Sequence, residues 1–316
     1  MKIKMYGRGI SVLLAATFLL GAGCGKRPAA PEARITVSGA WALYPMMVKW
    51  ADEYRKSHPG VQIDISAGGA GKGMTDALSG ASDIGMVSRD INPSEEAKGV
   101  WWVAVVKDAV IPVMNASNPN AGIIAKRGLT KEEFAAIFVK GNVRDWSFVG
   151  GTSVPLHIYT RSDACGAAET WAKYLGARQE DLKGTAVFGD PGVAEAVRKD
   201  ASGIGFNNLN FVYDLKSGQP LPGIRVVPID LNGNGVVDTG EDFYGTHKAV
   251  MQAIATGRYP SPPARDLNLV HHGKPPAGPV TDYIKWVLTD GQAFVAEAGY
   301  IALPAEILNN EKAKLK

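Results

Sequence analysis

The sequence predicts an α/β fold in which strands alternate with helices. Apolar, β-branched runs such as 154–160 are followed by segments in which apolar residues recur at helical spacing, such as 167–175. About 280 residues follow an N-terminal leader, which is enough for two α/β lobes. Cys24 directly follows that leader and is expected to carry a lipid, which leaves Cys165 as the only other cysteine. The fold is therefore expected to rest on its apolar core without an intrachain disulfide.

Nine segments are predicted to form strands. The segment 61–65 alternates apolar and polar residues, as a half-buried strand does, and 83–87 reads as a short buried strand. Pro112 lacks a backbone N–H, so its segment is expected at an irregular or peripheral place in the sheet. The predicted strands are 34–38, 61–65, 83–87, 101–106, 109–114, 154–160, 204–206, 224–229 and 265–270.

Eight segments are predicted to be helical. In the first, apolar residues including Trp50 and Tyr54 fall on one helical face, and Pro59 ends the helix. Another opens with a capping box, in which Thr130 is followed three residues later by Glu133. The predicted helices are 46–58, 74–78, 129–138, 166–175, 191–200, 244–256, 278–288 and 292–298.

The N-terminal leader is predicted to be a lipoprotein signal peptide at 1–23, followed by a polar tether at 24–33. Three basic residues precede the apolar run 10–20, which is too short for a comfortable membrane span. Small residues then precede Cys24, which is the expected site of lipid attachment. The alternative is an uncut signal anchor; either would place the domain outside the cytoplasm.

The charge balance gives no basis for a general attraction to polyanions. The formal net charge of +3 arises from 34 basic and 31 acidic residues, and three basic residues but no acidic ones lie in 1–23. The remaining chain therefore carries 31 of each, which gives no support for nucleic-acid binding. Any attraction for an anion must be local.

The stretch 161–170 is the strongest candidate for such a local site. A predicted strand ends at Arg161, small residues follow, and a helix begins near Gly166. A helix N-terminus offers unpaired N–H groups and a partial positive charge, and Arg161 adds a planar fork of donors suited to an oxyanion. Asp163 would accept from a protonated oxyanion or hold Arg161 in place. The competing interpretation is an ordinary strand–turn–helix connection with a structural Arg161–Asp163 pair.

Two further segments could contribute to an anion site. The glycine-rich loop 67–73 matches neither nucleotide fingerprint, because Lys72 is followed by glycine, but it could form an anion nest of backbone N–H groups. It could equally be a flexible turn. The predicted strand 83–87 delivers Ser88 and Arg89, although Arg89 could instead form a surface ion pair with Asp90 or Glu95.

The segment 230–241 predicts a calcium loop. Oxygen-bearing side chains stand at positions 1, 3, 5, 9 and 12, glycine at position 6, and a backbone carbonyl is available at position 7. This pattern resembles the EF-hand loop, although a strand precedes it, so a structural clip is expected; the alternative is a polar hairpin. The predicted ligands are Asp230, Asn232, Asn234, Val236, Asp238 and Glu241.

Four segments resemble the phosphate-binding proteins of ABC transporters. They are 39–45, 67–73, 83–89 and 161–167, in the order and at the spacing of that family, and the similarity covers nearly the whole chain after residue 34. The resemblance implies a two-lobed type II periplasmic-binding-protein fold, with mixed sheets flanked by helices and a two-stranded hinge. It implies a first lobe from 34–111 and 265–316 and a second lobe from 112–264.

The resemblance also implies ligand-contacting positions, of which several depart from the family pattern. Four of these positions lack the family's usual hydroxyl, and Arg89 stands where those proteins place an aspartate, unless a one-residue shift brings Asp90 there. Together with the residues singled out above, the expected anion-binding set is Leu43, Tyr44, Ala70, Ser88, Arg89, Arg161, Asp163, Cys165, Gly166 and Ala167.

The resulting expectation is a monomeric extracytoplasmic solute-binding lipoprotein without enzymatic activity or a catalytic cofactor. It would bind an oxyanion, with phosphate first, and deliver it to a membrane permease. The alternatives are another tetrahedral oxyanion, a sensor or scavenger without a permease, and an enzyme of the phosphatase type. The last would use Cys165, whose place at a helix N-terminus near Arg161 could lower the pKa of its thiol.

Overall fold

A computed structural model describes residues 32–316. The predicted signal peptide, Cys24 and most of the tether lie outside these residues. Within 32–316, no helix combines the length and apolar character needed to cross a bilayer.

The strands alternate with helices along the chain, as predicted. The strands are β1 Ala33–Gly39, β2 Val61–Ala67, β3 Ile84–Val87, β4 Val100–Asn115, β5 His157–Arg161, β6 Thr185–Val187, β7 Gly203–Asn208, β8 Ile224–Val226 and β9 Ala264–His272. The α-helices are α1 Tyr44–Ser57, α2 Ala70–Ser79, α3 Pro93–Glu96, α4 Ala121–Arg127, α5 Lys131–Ala135, α6 Gly166–Tyr174, α7 Gly189–Lys199, α8 His247–Ala255, α9 Pro279–Val287 and α10 Ala305–Ala313.

The strands form a mixed sheet with the order β2-β1-β3-β9-β4-β7-β5-β6, and β8 pairs with β4. Strand β1 is parallel to β2 and β3, and β5 is parallel to β6 and β7. The pairings of β9 with β3 and β4, and of β4 with β7, are antiparallel. The two parallel groups are therefore joined through β4 and β9, which confirms the mixed sheet.

Strand β4 corrects the prediction of two strands separated near residue 107. Its first part pairs with β9 from Val100 to Ala109, and its second part pairs with β7 from Val110 to Met114. The polar residues at the expected break stay in the strand because they face charged partners on β9: Lys107 pairs with Asp266 at 2.7 Å.

Pro112 also departs from its predicted irregular or peripheral place, since it lies within β4 and pairs with Phe206 of β7. A proline lacks only the N–H donor, and the Pro112 carbonyl still accepts from Val227 N at 2.9 Å.

Two hydrophobic cores lie on either side of the β4–β9 connection. We call the elements around the core formed by residues between 35 and 106 and between 267 and 300 the first lobe. The second lobe surrounds the core formed by residues between 109 and 264, with Ile301. Residues 32–316 pack as one compact unit around both cores, and the exact segment boundaries of the lobes stay a prediction.

Several helix boundaries differ from those predicted. The glycine-rich segment belongs in part to α2, which begins at Ala70. The helix after Thr130 keeps its capping box but changes to a π-helix at Ala136–Lys140. The region expected as helix 292–298 contains only the 3₁₀ turn Asp290–Phe294, and α10 was not predicted.

Candidate anion site

The candidate site lies where strand ends meet helix N-termini. In the first lobe β1 leads to α1 and β2 to α2; in the second lobe β5 leads to α6 and β6 to α7. In open α/β sheets, ligands bind outside the carboxyl ends of such strands, where helix N-termini offer N–H groups. The predicted helix start at Gly166 is confirmed.

Arg161 is held by two carboxylates. Its Nε and Nη2 donate to the two oxygens of Asp163 at 2.9 and 2.7 Å, and its Nη1 donates to Asp190 at 2.6 Å. The Arg161 side chain is 1% exposed, and those of Asp163 and Asp190 are 6% and 1% exposed. Burial opposes the charge of Arg161, but the two carboxylates outweigh it and raise the pKa of the guanidinium. The pair of Arg161 with Asp163, which the sequence suggested, is present, and the pair with Asp190 was not expected.

From Asp190, a chain of buried polar side chains continues to the hinge. Asp190 accepts from the side-chain amide of Asn208, whose oxygen accepts from Arg265 of β9. Arg265 also donates to the Ser88 carbonyl at 3.1 Å and lies 3.4 Å from Asp108 of β4. Burial raises the pKa of Asp108 to about 6, although Arg265 acts against this shift.

The two lobes meet directly at the candidate site, along what we call the seam. Gly71 N, in the glycine-rich segment, donates to the Ala164 carbonyl at 3.0 Å. Gly69 has φ +91°, and a side chain there would place a Cβ 2.7 Å from the same carbonyl. A Cβ on Gly166 would lie 2.1 Å from the Ser88 carbonyl. The structure thus brings the predicted residues of both lobes together, in a closed arrangement.

The other predicted positions differ in how accessible they are to a ligand. Leu43 and Ala70 are fully buried at the starts of α1 and α2, Ala167 is buried in α6, and Tyr44 is half-buried. The apolar side chains of Leu43 and Ala70 offer a ligand no donor, and the backbone N–H of Leu43 already donates to the Ala40 carbonyl at 3.1 Å.

Arg89 pairs with carboxylates, and its pair with Glu95 was expected as one alternative, but Arg89 is buried and not on the surface as that alternative assumed. It pairs with Glu95 at 2.7 Å and with Glu169 of the second lobe at 2.9 Å. Burial raises the pKa of Glu169, with Arg89 acting against it. A ligand would therefore compete with two carboxylates for this guanidinium, and Arg89 joins the lobes in the closed arrangement. Asp90 makes a second link between the lobes with Lys173 at 2.5 Å.

The Cys165 thiol is not suited to act as a nucleophile. It is the N-cap of α6, and its Sγ accepts from Ala168 N at 3.4 Å. Burial raises the pKa of the thiol to about 12, outweighing the nearby charge of Arg161. A raised thiol pKa disfavours the thiolate that a nucleophile needs, so the structure gives no support to the alternative of an enzyme that uses Cys165.

An open groove runs up to the seam from the second lobe. It encloses about 820 Å³ and is lined by Arg161, Ser162, Ala164 and Glu169, with Asn92 from the first lobe. Arg161 contributes to the wall while its side chain is almost fully covered. The groove therefore reaches the candidate site without exposing the guanidinium.

The predicted calcium loop lies away from these residues, between β8 and α8. Asp230 and Glu241 are buried, and Asn232, Asn234 and Val236 are exposed. Within 32–316, no three or more histidine, cysteine, aspartate or glutamate side chains are grouped closely enough to hold a metal. A calcium site here would therefore depend on amide and backbone oxygens as well as carboxylates.

Comparison with known proteins identifies the family. The model of the PBP superfamily domain matches residues 26–291. The chain belongs to the PBP superfamily. Among curated relatives of this superfamily member, the phosphate-binding protein PstS of Bacillus subtilis is 27% identical over 66% of this chain and 72% of its own length. Protein SphX of Synechococcus elongatus is 26% identical over 88% of this chain and 80% of its own.

A solved structure supports the fold of this PBP superfamily member. A phosphate ABC transporter substrate-binding candidate from Clostridium perfringens, solved with bound phosphate, aligns with a TM-score of 0.71 and 22% identity. It is matched along 100% of its length and 86% of this chain. The predicted type II periplasmic-binding-protein fold and the resemblance to the phosphate-binding family are both confirmed.

The sequence did not reveal three of the buried polar residues around the seam of this superfamily member. Asp190, Asn208 and Arg265 come from α7, β7 and β9. Asp190 immediately precedes the predicted helix 191–200 and lies in the first turn of α7, where an acidic residue is favoured and could have marked it. For Asn208 and Arg265, only the pairing of distant strands brings them to the site.

Proposed function

We propose that this protein is an extracytoplasmic solute-binding protein that binds a tetrahedral oxyanion, phosphate first, at the seam between its lobes. The observation that carries the proposal is the meeting of Arg161, the α6 N-terminus and the glycine segment of the opposite lobe at one point. The names of the relatives from B. subtilis and C. perfringens, which refer to phosphate, support this ligand.

Binding requires the lobes to part. In the closed arrangement, the N–H of Gly71 is occupied by the Ala164 carbonyl, so an anion has to replace that carbonyl as its acceptor. The groove beside Arg161 and Ala164 provides the approach. Separation of the two lobes at the β4–β9 hinge, followed by closure on the ligand, is the motion that this arrangement supports.

The charges at the seam favour an anion that still carries a proton. Arg161 faces two carboxylates, Asp163 and Asp190, so a fully ionised ligand would meet an excess of negative charge. Phosphate near neutral pH retains an O–H donor for a carboxylate, whereas sulfate has none. Because a hydrogen bond to a charged group contributes about 1.5–3 kcal/mol, phosphate should bind at least about tenfold more tightly than sulfate.

Titration calorimetry on the purified protein with phosphate and sulfate at pH 7 tests the proposal. Arg161→Lys keeps the buried positive charge but loses the planar fork, so phosphate affinity should fall at least about tenfold. Arg198→Lys is the matched control, because Arg198 is a half-exposed arginine on the second lobe that pairs with Glu195. Absence of anion binding by the wild type, or an equal effect of both variants, would refute the assignment; tighter binding of sulfate would overturn the charge argument.

We also propose that the protein is anchored through a lipid on Cys24 and acts with an ABC permease. The lipoprotein pattern at residues 21–24 supports the anchor, and the resemblance to transport proteins supports the permease. Labelled palmitate should enter the wild type and not Cys24→Ala; equal incorporation would place the anchor elsewhere. Delivery would be tested by phosphate uptake in cells with and without a candidate ABC permease, since a scavenger would need no such partner.

A further inference from the structure

The loop 230–241 has a buried carboxylate oxygen that nothing in the described protein satisfies. Glu241 is 3% exposed. Its Oε1 accepts from the N–H groups of Leu231 and Asn232, at 2.7 and 3.2 Å, which fixes the carboxylate over the start of the loop. Its Oε2 is buried and has no hydrogen-bond partner within residues 32–316. A buried, unpartnered carboxylate oxygen is costly, and a cation is the usual remedy.

The opposite side of the loop supplies a second buried carboxylate. Asp230 is 4% exposed, and its two oxygens accept from Gly233 N and Gly235 N at 2.7 and 2.8 Å. Gly235 has φ +76°, as expected of the sharp turn at position 6 of a calcium loop. Both ends of the twelve-residue segment thus direct a buried carboxylate into the same small loop.

The negative charge of the loop is not neutralised by basic side chains. Within residues 32–316, none of the ion pairs includes Asp230, Asp238 or Glu241. Arg127, at the end of α4 beside the loop, is paired with Glu133 instead. Three carboxylates therefore share a short segment without a basic ion-pair partner, and a divalent cation would offset most of their charge.

We infer that the loop 230–241 is a structural calcium site of the second lobe. The side chains of Asp230, Asn232, Asn234, Asp238 and Glu241 and the carbonyl of Val236 would supply the oxygens. Two of these side chains already contact each other, because the Asn232 amide nitrogen donates to one oxygen of Asp238 at 2.8 Å. A site with a carboxylate at position 12 and six or more oxygens suits Ca²⁺ better than Mg²⁺, which demands a smaller octahedral shell.

The contacts of the loop show what the ion would stabilise. Val237 N donates to the Lys126 carbonyl at 2.7 Å, and Asp230 N donates to the Leu129 carbonyl at 3.0 Å. Leu129 also forms a parallel bridge with Ile229. The loop is thereby fastened to the corner between α4 and α5, so the ion would hold the β8–α8 connection against the body of the second lobe. The flanking elements are not a helix pair, which favours a clip over a switch.

Calorimetry and thermal melting on the purified, chelator-treated protein test this inference. We expect one Ca²⁺ per chain, tighter than Mg²⁺, and a rise in melting midpoint of about 5 °C at a hundredfold excess over Kd. Glu241→Gln and Asp238→Asn should each weaken calcium binding at least about tenfold and reduce that rise. Asp242→Asn is the matched control, since Asp242 is an exposed carboxylate just outside the loop, and it should behave as the wild type.

The chelated state provides a measurement that does not depend on metal binding. Without calcium, Glu241→Gln should melt no lower than the wild type, because it replaces a buried, unpartnered carboxylate by a neutral amide. Absence of calcium binding up to about 10 mM, above the weakest affinities of extracellular calcium modules, would overturn the inference. An unchanged calcium response in both ligand variants would do the same. Neither result would affect the anion site, whose phosphate affinity should be the same with and without chelator.

Discussion

The ion pairs of Arg161 with Asp163 and Asp190 should dominate the stability of the seam. All three side chains are at least 94% covered, so Arg161→Met would leave two carboxylates buried without a cation. Breaking a buried pair from one side typically costs about 3–5 kcal/mol. For a chain of this size that corresponds to a fall in melting midpoint of about 10 °C.

Urea unfolding followed by tryptophan fluorescence gives the free energies directly. Arg198→Met is the matched control, since its partner Glu195 and Arg198 itself are 40% and 50% exposed, and an exposed pair contributes at most about 1 kcal/mol. The double variant Arg161→Met/Asp190→Asn should recover part of the loss, because the orphaned carboxylate is replaced by an amide that can still bond to Asn208. Recovery should be incomplete, because Asp163 would remain a buried carboxylate without a cation and would keep only its bond from Gly189 N at 3.2 Å.

The reasoning fails if Arg161→Met costs no more than Arg198→Met. It also fails if the double variant is less stable than the single one, because Asp190 would then contribute stability that does not depend on Arg161. The first result would show that the seam carboxylates are hydrated or protonated in solution and that the closed arrangement is not the dominant state.

Three shorter predictions follow from other contacts. Gly166→Ala would place a Cβ 2.1 Å from the Ser88 carbonyl of the opposite lobe, so X-ray scattering should show a larger radius of gyration and calorimetry weaker phosphate binding; unchanged scattering would refute direct contact. Thr130→Ala should lose about 1 kcal/mol in urea unfolding, because Thr130 caps α5 at Glu133 N; a loss below about 0.3 kcal/mol would refute this role. Burial raises the pKa of Asp108 to about 6, so its contribution to stability is full below about pH 4 and is lost as pH rises through about 6. Asp108→Asn should remove about 3 kcal/mol of that decline, and an identical pH profile in both proteins would contradict it.

Local sequence signals predicted the parts of the fold that local physics determines. The strand ending at Arg161, the helix starting at Gly166 and the capping box of Thr130 each depend on residues within a few positions of one another. Gly235 adopts the positive φ expected from its place in the calcium-type loop. These features could be predicted because a backbone turn or a helix cap has few alternative conformations.

Features set by distant partners could not be predicted in this way. The continuity of β4 through Pro112 depends on its antiparallel neighbours β7 and β9. The second partner of Arg161 is 29 residues away in the chain. From the sequence alone, Arg89 could be assigned either to a ligand or to an ion pair with a nearby carboxylate. Its partner Glu169 was in neither interpretation, because Glu169 reaches Arg89 only through the folding of the other lobe.

The same long-range contacts connect the hinge to the anion site. Arg265 lies on β9, and its guanidinium bonds to the Ser88 carbonyl of the first lobe and to Asn208 of the second. Asn208 leads through Asp190 to Arg161, with each step a hydrogen bond between buried groups. If the lobes move apart at this point, Arg265 can stay bonded to only one of them, so at least one of these hydrogen bonds has to break. A ligand that competes for Arg161 therefore acts on the same set of bonds that holds the hinge closed, and this shared set gives binding and lobe movement a direct physical link.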